Sequence, residues 1–394
     1  MESVVATGAA ILLSMAYLSF RPVTAALVLL ALCGWLIVRD RRSGERTAAL
    51  WLIIPITALM VNLHLYAIFV PMWIGALWVG SIIERQQARP EDRPEAERRL
   101  SRNTWLMGGT ALACLATPML PGVIGAALHY QLKDPMVASG VIQEMRPFYS
   151  GIPGKVSAVI VVVLTALALR GRRKLRAGDW VWLALSMILL FRLGRFSPAF
   201  AIAAAPIYAL TIPRMSSRLM RKPMVLAAVA IVLVMGSVQL IRKFPSSQMS
   251  LDNWLDRGPN PAAGYPCDAA AYIATSVKPV TGRLINEFTW GGYLEWRLGD
   301  HYKTLLDGRT QLFSAAFWDD TYLGGDDRRA WYLSHVTADA AILPAKGSKF
   351  EKILTAQHWQ VAWHDERSIV LLPPPAMVKS NSAKWPFATV FFGE

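Results

Sequence analysis

Charge is scarce in this sequence. Only 17% of its 394 residues are Asp, Glu, Lys or Arg, where a soluble globular domain carries about 25%. Cysteine is scarcer still. Of the three, Cys33 and Cys114 lie inside apolar runs and Cys267 stands alone in the C-terminal part, so no disulfide framework is expected. There is no CxxC, HExxH, GxGxxG or phosphate-loop pattern, and the six histidines show no zinc-ligand spacing. The common metal, redox and nucleotide signatures are therefore missing.

The formal net charge of +14 raises the question of nucleic acid, and the placement of that charge answers it. The first 241 residues hold 25 Lys and Arg against 11 Asp and Glu, whereas the last 153 hold 16 of each. A nucleic-acid footprint is a basic face on a folded domain. Here the excess lies between apolar runs instead, and no nucleic-acid partner is expected.

Those runs dominate what is present. A bilayer core needs roughly 20 apolar residues per helix. The runs at 4–20, 23–38, 48–62, 65–83, 104–120, 155–170, 178–191, 197–212 and 224–241 predict about nine transmembrane helices, several of them short. Four connections are densely basic: 39–46, 84–103, 170–177 and 213–223. With the N-terminus inside, all four face the cytoplasm, as positive-inside bias requires. Residues 1–241 then read as a helical membrane domain in the cytoplasmic membrane, 242–266 as a linker, and 267–394 as a domain held on the far side. The apolar run after Met1-Glu2-Ser3 has no basic leader and no cleavage pattern, and reads as a retained helix.

The C-terminal region alternates in pattern. Helices are predicted at 267–276, 292–298, 328–336 and 349–356. Strands are predicted at 283–286, 304–306, 340–343, 360–364 and 368–372. Such alternation predicts a small α/β layer with a mostly parallel sheet, closed by 368–372 paired to its predecessor across a short turn. Ligands gather at the carboxyl ends of strands in such sheets, where Glu287, Asp307 and Arg309 sit. Two readings stay open: a polar site, or a turn capped by Asp307 with Gly308 in a special backbone conformation and Arg309 in an ion pair.

In the membrane part, the polar residues gather at the outer ends of the runs. Arg21 ends the first pair, Asn62 and His64 form the turn of one hairpin, Arg192 and Arg195 the turn of another, and Glu144 and Arg146 lie in the loop 121–154. Cations placed against the positive-inside bias need a reason, and guanidinium groups bind phosphate bidentately. Snorkelling to headgroups is the plainer alternative.

These segments resemble the bacterial branch of the GT-C superfamily of membrane glycosyltransferases. Phe20-Arg21-Pro22, Val61-Asn62-Leu63-His64, Gln143-Glu144-Met145 and Phe191-Arg192 through Pro198 are similar to its outer turns. Trp290-Gly291-Gly292-Tyr293-Leu294 and Leu306-Asp307-Gly308-Arg309 are similar to its C-terminal domain signature. The resemblance implies transfer of a sugar from a polyprenyl-phosphate donor at the outer face, with Arg21, Asn62, His64, Arg192 and Arg195 binding substrate and Glu144 as candidate catalytic base. In that superfamily an acid in the first outer loop acts as base or helps bind a metal. Here that loop is Arg21-Pro22, and the sole acid before Asp40 is Glu2. The chain thus resembles the family without its front catalytic portion, and a divalent metal stays open only through the resemblance.

Two functions follow as expectations: a membrane glycosyltransferase-like protein, or a non-catalytic membrane partner of a complementary glycosyltransferase subunit in envelope glycan assembly. Membrane lipids are partners in either case. A transporter is disfavoured, because no inverted repeat or mid-membrane acid is present.

Overall fold

The computed structural model describes residues 2–15, 22–119, 134–142, 145–213, 264–277, 282–310 and 313–375, with isolated positions between. Two compact units emerge. The first is Met1–Leu128 with Gly140–Leu233, and the second is His129–Ser139 with Val234–Glu394.

The first unit is helical. Its main helices are α1 (Glu2–Met15), α2 (Pro22–Arg42), α3 (Ile53–Leu63), α4 (Phe69–Gln87), α5 (Arg93–Ala113), α6 (Gly151–Arg170), α7 (Ala177–Arg192) and α8 (Ser197–Thr211). Local chemistry explains several ends. Arg39, Arg41 and Arg42 occupy the last turn of α2, where cations favour the negative end of the helix dipole. Pro94 opens α5 and Pro198 opens α8, where a missing N–H costs nothing. His64 is extended, with φ −164° and ψ 148°, and separates α3 from the 3-10 turn Leu65–Ile68 that leads into α4.

The nine-helix expectation is overturned. Among the described residues, two helices are long and apolar enough to cross a bilayer, Val23–Arg42 and Leu65–Gln87. Glu2–Ser14 and Ala48–Leu63 are apolar but shorter. The run at 104–120 meets a helix that starts in the charged segment at Arg93 and stops at Ala113. The runs at 178–191 and 197–212 form helices of 16 and 15 residues. An apolar run counts letters, whereas caps, prolines and turns decide where a helix begins and stops. The run at 224–241 lies outside the described residues.

Packing inside this unit is close. Gly80 of α4 meets the backbone of Gly178 at the start of α7, where an added Cβ would fall 2.2 Å from the Gly178 nitrogen. One face further along, Trp73 and Trp182 stack at 5.3 Å between ring centroids. Asn103 of α5 donates to Ser81 of α4 at 2.8 Å, and both are buried. Ser197 ties α8 to α1 by donating to the Leu13 carbonyl at 2.9 Å.

The second unit is a five-stranded sheet in the order β2-β1-β3-β5-β4. The strands are β1 (Gly282–Asn286), β2 (Tyr302–Thr304), β3 (Ala340–Pro344), β4 (Gln360–His364) and β5 (Ser368–Leu372), with helices α9 (Cys267–Ser276), α10 (Gly291–Leu298), α11 (Asp326–His335) and α12 (Glu351–Ala356). β1 pairs in parallel with β2 and β3, while β5 pairs antiparallel with β3 and β4. The sheet is mixed, which corrects the mostly parallel expectation. A short connection from β4 to β5 makes a hairpin, and a hairpin is antiparallel by geometry. Strand β2 also stops at Thr304 rather than running to Leu306. The Asn286 side chain takes over the pairing: its Oδ1 accepts from the N–H of Leu305 and Leu306, and its Nδ2 donates to the Leu306 carbonyl at 2.7 Å.

Candidate functional site

At one end of the helical unit the two polar hairpin turns come together. The Tyr66 hydroxyl donates to the Arg195 carbonyl. His64 packs edge-on against the Tyr66 ring at 4.5 Å, and its Nδ1 accepts the Tyr66 N–H at 3.2 Å. That bond leaves Nε2 to carry the proton of the neutral ring. Arg195 lies within electrostatic reach of His64, and its guanidinium is 3.9 Å from the Met145 sulfur. The segment from Met145 to Phe148 closes the cluster, with the Gly194 N–H donating to the Arg146 carbonyl at 2.8 Å. Gly194 has no room for a side chain, since an added Cβ would sit 2.3 Å from the Tyr17 hydroxyl.

His64 and Arg195, 131 positions apart in the sequence, are thus neighbours. Arg192 is exposed at the last position of α7, and the extended Leu193 separates it from Arg195. Asn62 does not join them. It donates to the carbonyls of Ala58 and Ala116 at 2.9 and 2.7 Å, and so ties α3 to the chain leaving α5. Arg21 and Glu144 lie outside the described residues.

A second polar assembly lies among the basic connectors 39–46, 84–103 and 170–177. Asp40, Glu45 and Asp179 are buried there. Asp40 accepts from the Thr47 N–H at 3.0 Å and from Arg102. Glu45 pairs with Arg99 at 2.5 Å and with Arg176, and Arg99 reaches Glu84 at 2.6 Å. Asp179 pairs with Arg41 at 2.7 Å and caps the start of α7 through the Arg176 N–H. Burial alone would raise the Glu45 carboxyl, but the Arg99 hydrogen bond and the Arg176 and Arg99 charges outweigh it and hold it below its usual range. A cavity of about 30 Å³ lies among these groups, enough space for a water. The Arg102 Nε, which is buried without a protein partner, marks where such a water would bond. Four carboxylates and four guanidiniums cancel here, which makes the assembly a clamp between connectors and helices rather than a reactive site. Arg99 and Arg102, three apart, with the acids of 40–45 were the available signal, but only the fold brings them together.

In the α/β unit the two glycine-containing motifs meet. An added Cβ on Gly291 would fall 1.9 Å from the Leu306 carbonyl oxygen. Asp307 is buried and accepts from the Arg309 N–H at 2.7 Å and its Nε at 3.0 Å. Arg309 also grips both oxygens of Glu295 at 2.8 Å. The Asp307 hydrogen bond comes first among the causes that raise the Arg309 value. Asp307 and Arg309 therefore close a turn and form the ion pair of the second reading, but Gly308 does not take the positive φ expected of it.

Glu287 belongs to a different cluster. Its carboxylate accepts from the Tyr322 hydroxyl at 3.2 Å, and burial raises its pKa against that bond. Lys349 stands 4.1 Å over the Tyr322 ring and donates to the Tyr322 carbonyl at 3.0 Å. Buried Arg329 holds this turn through the Thr321 and Gly324 carbonyls at 2.9 and 2.7 Å. Tyr322, Arg329 and Lys349 were not singled out from the sequence, since no spacing links them to Glu287. Asp134, from the loop 121–154, is buried. It caps the turn Pro135–Ala138 and accepts from Thr310 at 2.6 Å, inside the α/β unit.

Among the described residues no group of three His, Cys, Asp or Glu side chains could hold a metal ion. No protein-family model matches the chain, and no curated protein is significantly similar to it in sequence.

Proposed function

We propose that this chain is a membrane-bound, glycosyltransferase-like protein that holds a polyprenyl-phosphate-linked sugar at the end of the helical unit bearing His64, Arg192 and Arg195. The observation that supports the reading is the meeting of two distant hairpin turns, which brings the Arg195 guanidinium within electrostatic reach of the His64 imidazole, with exposed Arg192 three residues earlier in the chain. Guanidinium groups grip phosphate oxygens bidentately, and a neutral imidazole with its proton on Nε2 adds a hydrogen-bond donor. Glu144 is the acid proposed as base for the transfer, and the α/β unit is proposed to be extracytoplasmic.

The membrane placement has its own support, in the surface. Ile152 is 80% exposed, Trp105 and Leu112 are 70% exposed, and Val28, Val162 and Ile188 are about two-thirds exposed. Each such side chain left in water forfeits about 1.5–3 kcal/mol of burial. A surface this apolar marks contact with a membrane or a partner.

The test is a transfer assay in proteoliposomes supplied with polyprenyl-phosphate sugar, alongside binding of the same lipid. Arg195→Gln should weaken binding about tenfold or more, the size of one lost charge-assisted contact, and Glu144→Gln should abolish transfer while sparing binding. Unchanged binding in both Arg192→Gln and Arg195→Gln would refute the site. Binding without transfer in the wild type would favour the non-catalytic partner of a complementary subunit.

A further inference from the structure

A groove of about 930 Å³ runs along the helical unit between α1, α2 and α8, with Trp73 of α4 at its floor. Ligand sites occupy roughly 300–1,000 Å³, so this one is large. Small side chains on three helices keep it open: Ala6 and Ala10 on α1, Ala31 and Gly34 on α2, Ala205 on α8. Gly34 in particular cannot be enlarged without pressing the Trp73 ring, 3.0 Å from an added Cβ. Along α2 the wall extends from Thr24 to Arg42, a rise of about 27 Å at 1.5 Å per residue. That is close to the thickness of a bilayer core, about 30 Å.

The charge in this groove is confined to one end. Arg41, Arg42 and Asp179 line it there, and the rest of the wall is mainly aliphatic. Asp179 pairs with Arg41 at 2.7 Å, so those two cancel. Arg42 adds a positive charge and is exposed. The basic turn Arg172–Lys174 packs against α8, and the neighbouring Gly171 touches Thr211 at the C-terminal end of that helix. The groove therefore has a long apolar wall and a cationic mouth. Its charged residues belong neither to the His64 cluster nor, apart from Arg41 and Asp179, to the ion network.

We infer that the groove is a binding site for an anionic glycerophospholipid, with its phosphate at Arg42 and its acyl chains lying along α1, α2 and α8. The apolar wall matches hydrocarbon, and the net positive mouth selects a head of net negative charge over a zwitterionic one. The open side lets a lipid enter laterally from the bilayer. The inference rests on the membrane placement proposed above, and not on sugar transfer.

The experiment uses the full chain in nanodiscs containing equal parts phosphatidylglycerol and phosphatidylcholine. The lipids retained after release into mild detergent are counted by native mass spectrometry. Wild type should retain phosphatidylglycerol over phosphatidylcholine. Arg42→Gln should cut that preference about fivefold, the usual weight of one basic residue against an anionic lipid. Ala31→Trp, which fills the groove away from its mouth, should remove the bound lipid with the melting temperature unchanged. Equal retention of the two lipids, or a preference that survives Arg42→Gln, overturns the site. Displacement of phosphatidylglycerol by an equal amount of polyprenyl phosphate also overturns it and assigns the groove to the sugar lipid. A chain that alkaline carbonate strips from membranes fails earlier, at the placement itself.

Discussion

The two units invert each other's use of polarity. In the helical unit large apolar side chains such as Val28, Trp35, Trp105 and Ile152 stand outside, while Asp40, Glu45 and Asp179 are buried. In the α/β unit the apolar groups turn inward: Leu284, Ile342 and Val370 are fully buried on adjacent strands. Its buried charges among the described residues, Asp134, Asp307 and Arg329, are as many, but their ionic partners are absent or reach solvent. Arg309, which answers Asp307, is half exposed, and Asp326, which answers Arg329, is exposed. The contrast shows where charge costs most. A buried carboxylate must find its guanidinium, because desolvation is severe and a broken pair leaves an orphan charge. A pair at a wet surface is nearly neutral in energy.

The sharpest way to break this comparison is to remove one partner in each unit. Asp40→Asn leaves Arg102 facing a neutral amide in a buried setting and should cost about 3–5 kcal/mol, read from the melting temperature of the full chain. A loss below about 1 kcal/mol would place that network in solvent. Close backbone approaches come next. Gly80→Ala in the helical unit and Gly291→Ala in the α/β unit each force a Cβ into backbone atoms, and each should cost about 1–3 kcal/mol or more. Limited proteolysis should show the damage confined to the unit that carries the change. Smallest is Glu295→Ala, which breaks the partly exposed pair with Arg309 while leaving buried Asp307 its guanidinium and should cost no more than about 1 kcal/mol in denaturant titration.

Acid sharpens the same contrast through opposite signs. The Glu45 value is lowered from the ordinary 4.5. Between its folded value and 4.5 the unfolded chain binds more protons, so the stability it contributes is complete above that window and drains as pH falls through it. The Glu287 value is raised from 4.5. There the folded chain binds more protons, and its contribution shrinks as pH rises from 4.5 through the folded value. Melting curves from pH 7 to pH 3 should show the acid loss reduced in Glu45→Gln. They should also show added stability near neutral pH in Glu287→Gln, provided the amide keeps the Tyr322 hydrogen bond. Matching pH profiles for the two variants would refute the assignment.

Much of the α/β unit was legible because its signals are local. Short strand-like segments alternating with helical ones marked 283–286, 340–343, 360–364 and 368–372, and the strands lie there. The hairpin of 360–364 with 368–372 was legible from its short turn, whereas the antiparallel pairing of β5 with β3 and the early stop of β2 were not, because a tertiary contact of Asn286 decides the latter. In the helical unit the apolar runs were visible but their lengths misled, since the extended backbone at His64 and the start of α5 at Arg93 are set by packing and caps. The site residues divided similarly. His64 and Arg195 were named separately and the fold joins them, whereas Asn62 turns away to α5. Glu287 parts from Asp307 and Arg309 to meet Tyr322 and Lys349.

Composition and order alone determined which stretches are apolar, where basic residues concentrate, and that no metal or nucleotide motif is present. Those properties are additive along the chain. Tertiary structure alone decided which arginine answers which carboxylate, which glycines admit a neighbouring backbone, and which polar turns become neighbours. Pairing energies depend on distances between residues remote in sequence, and no local pattern encodes them.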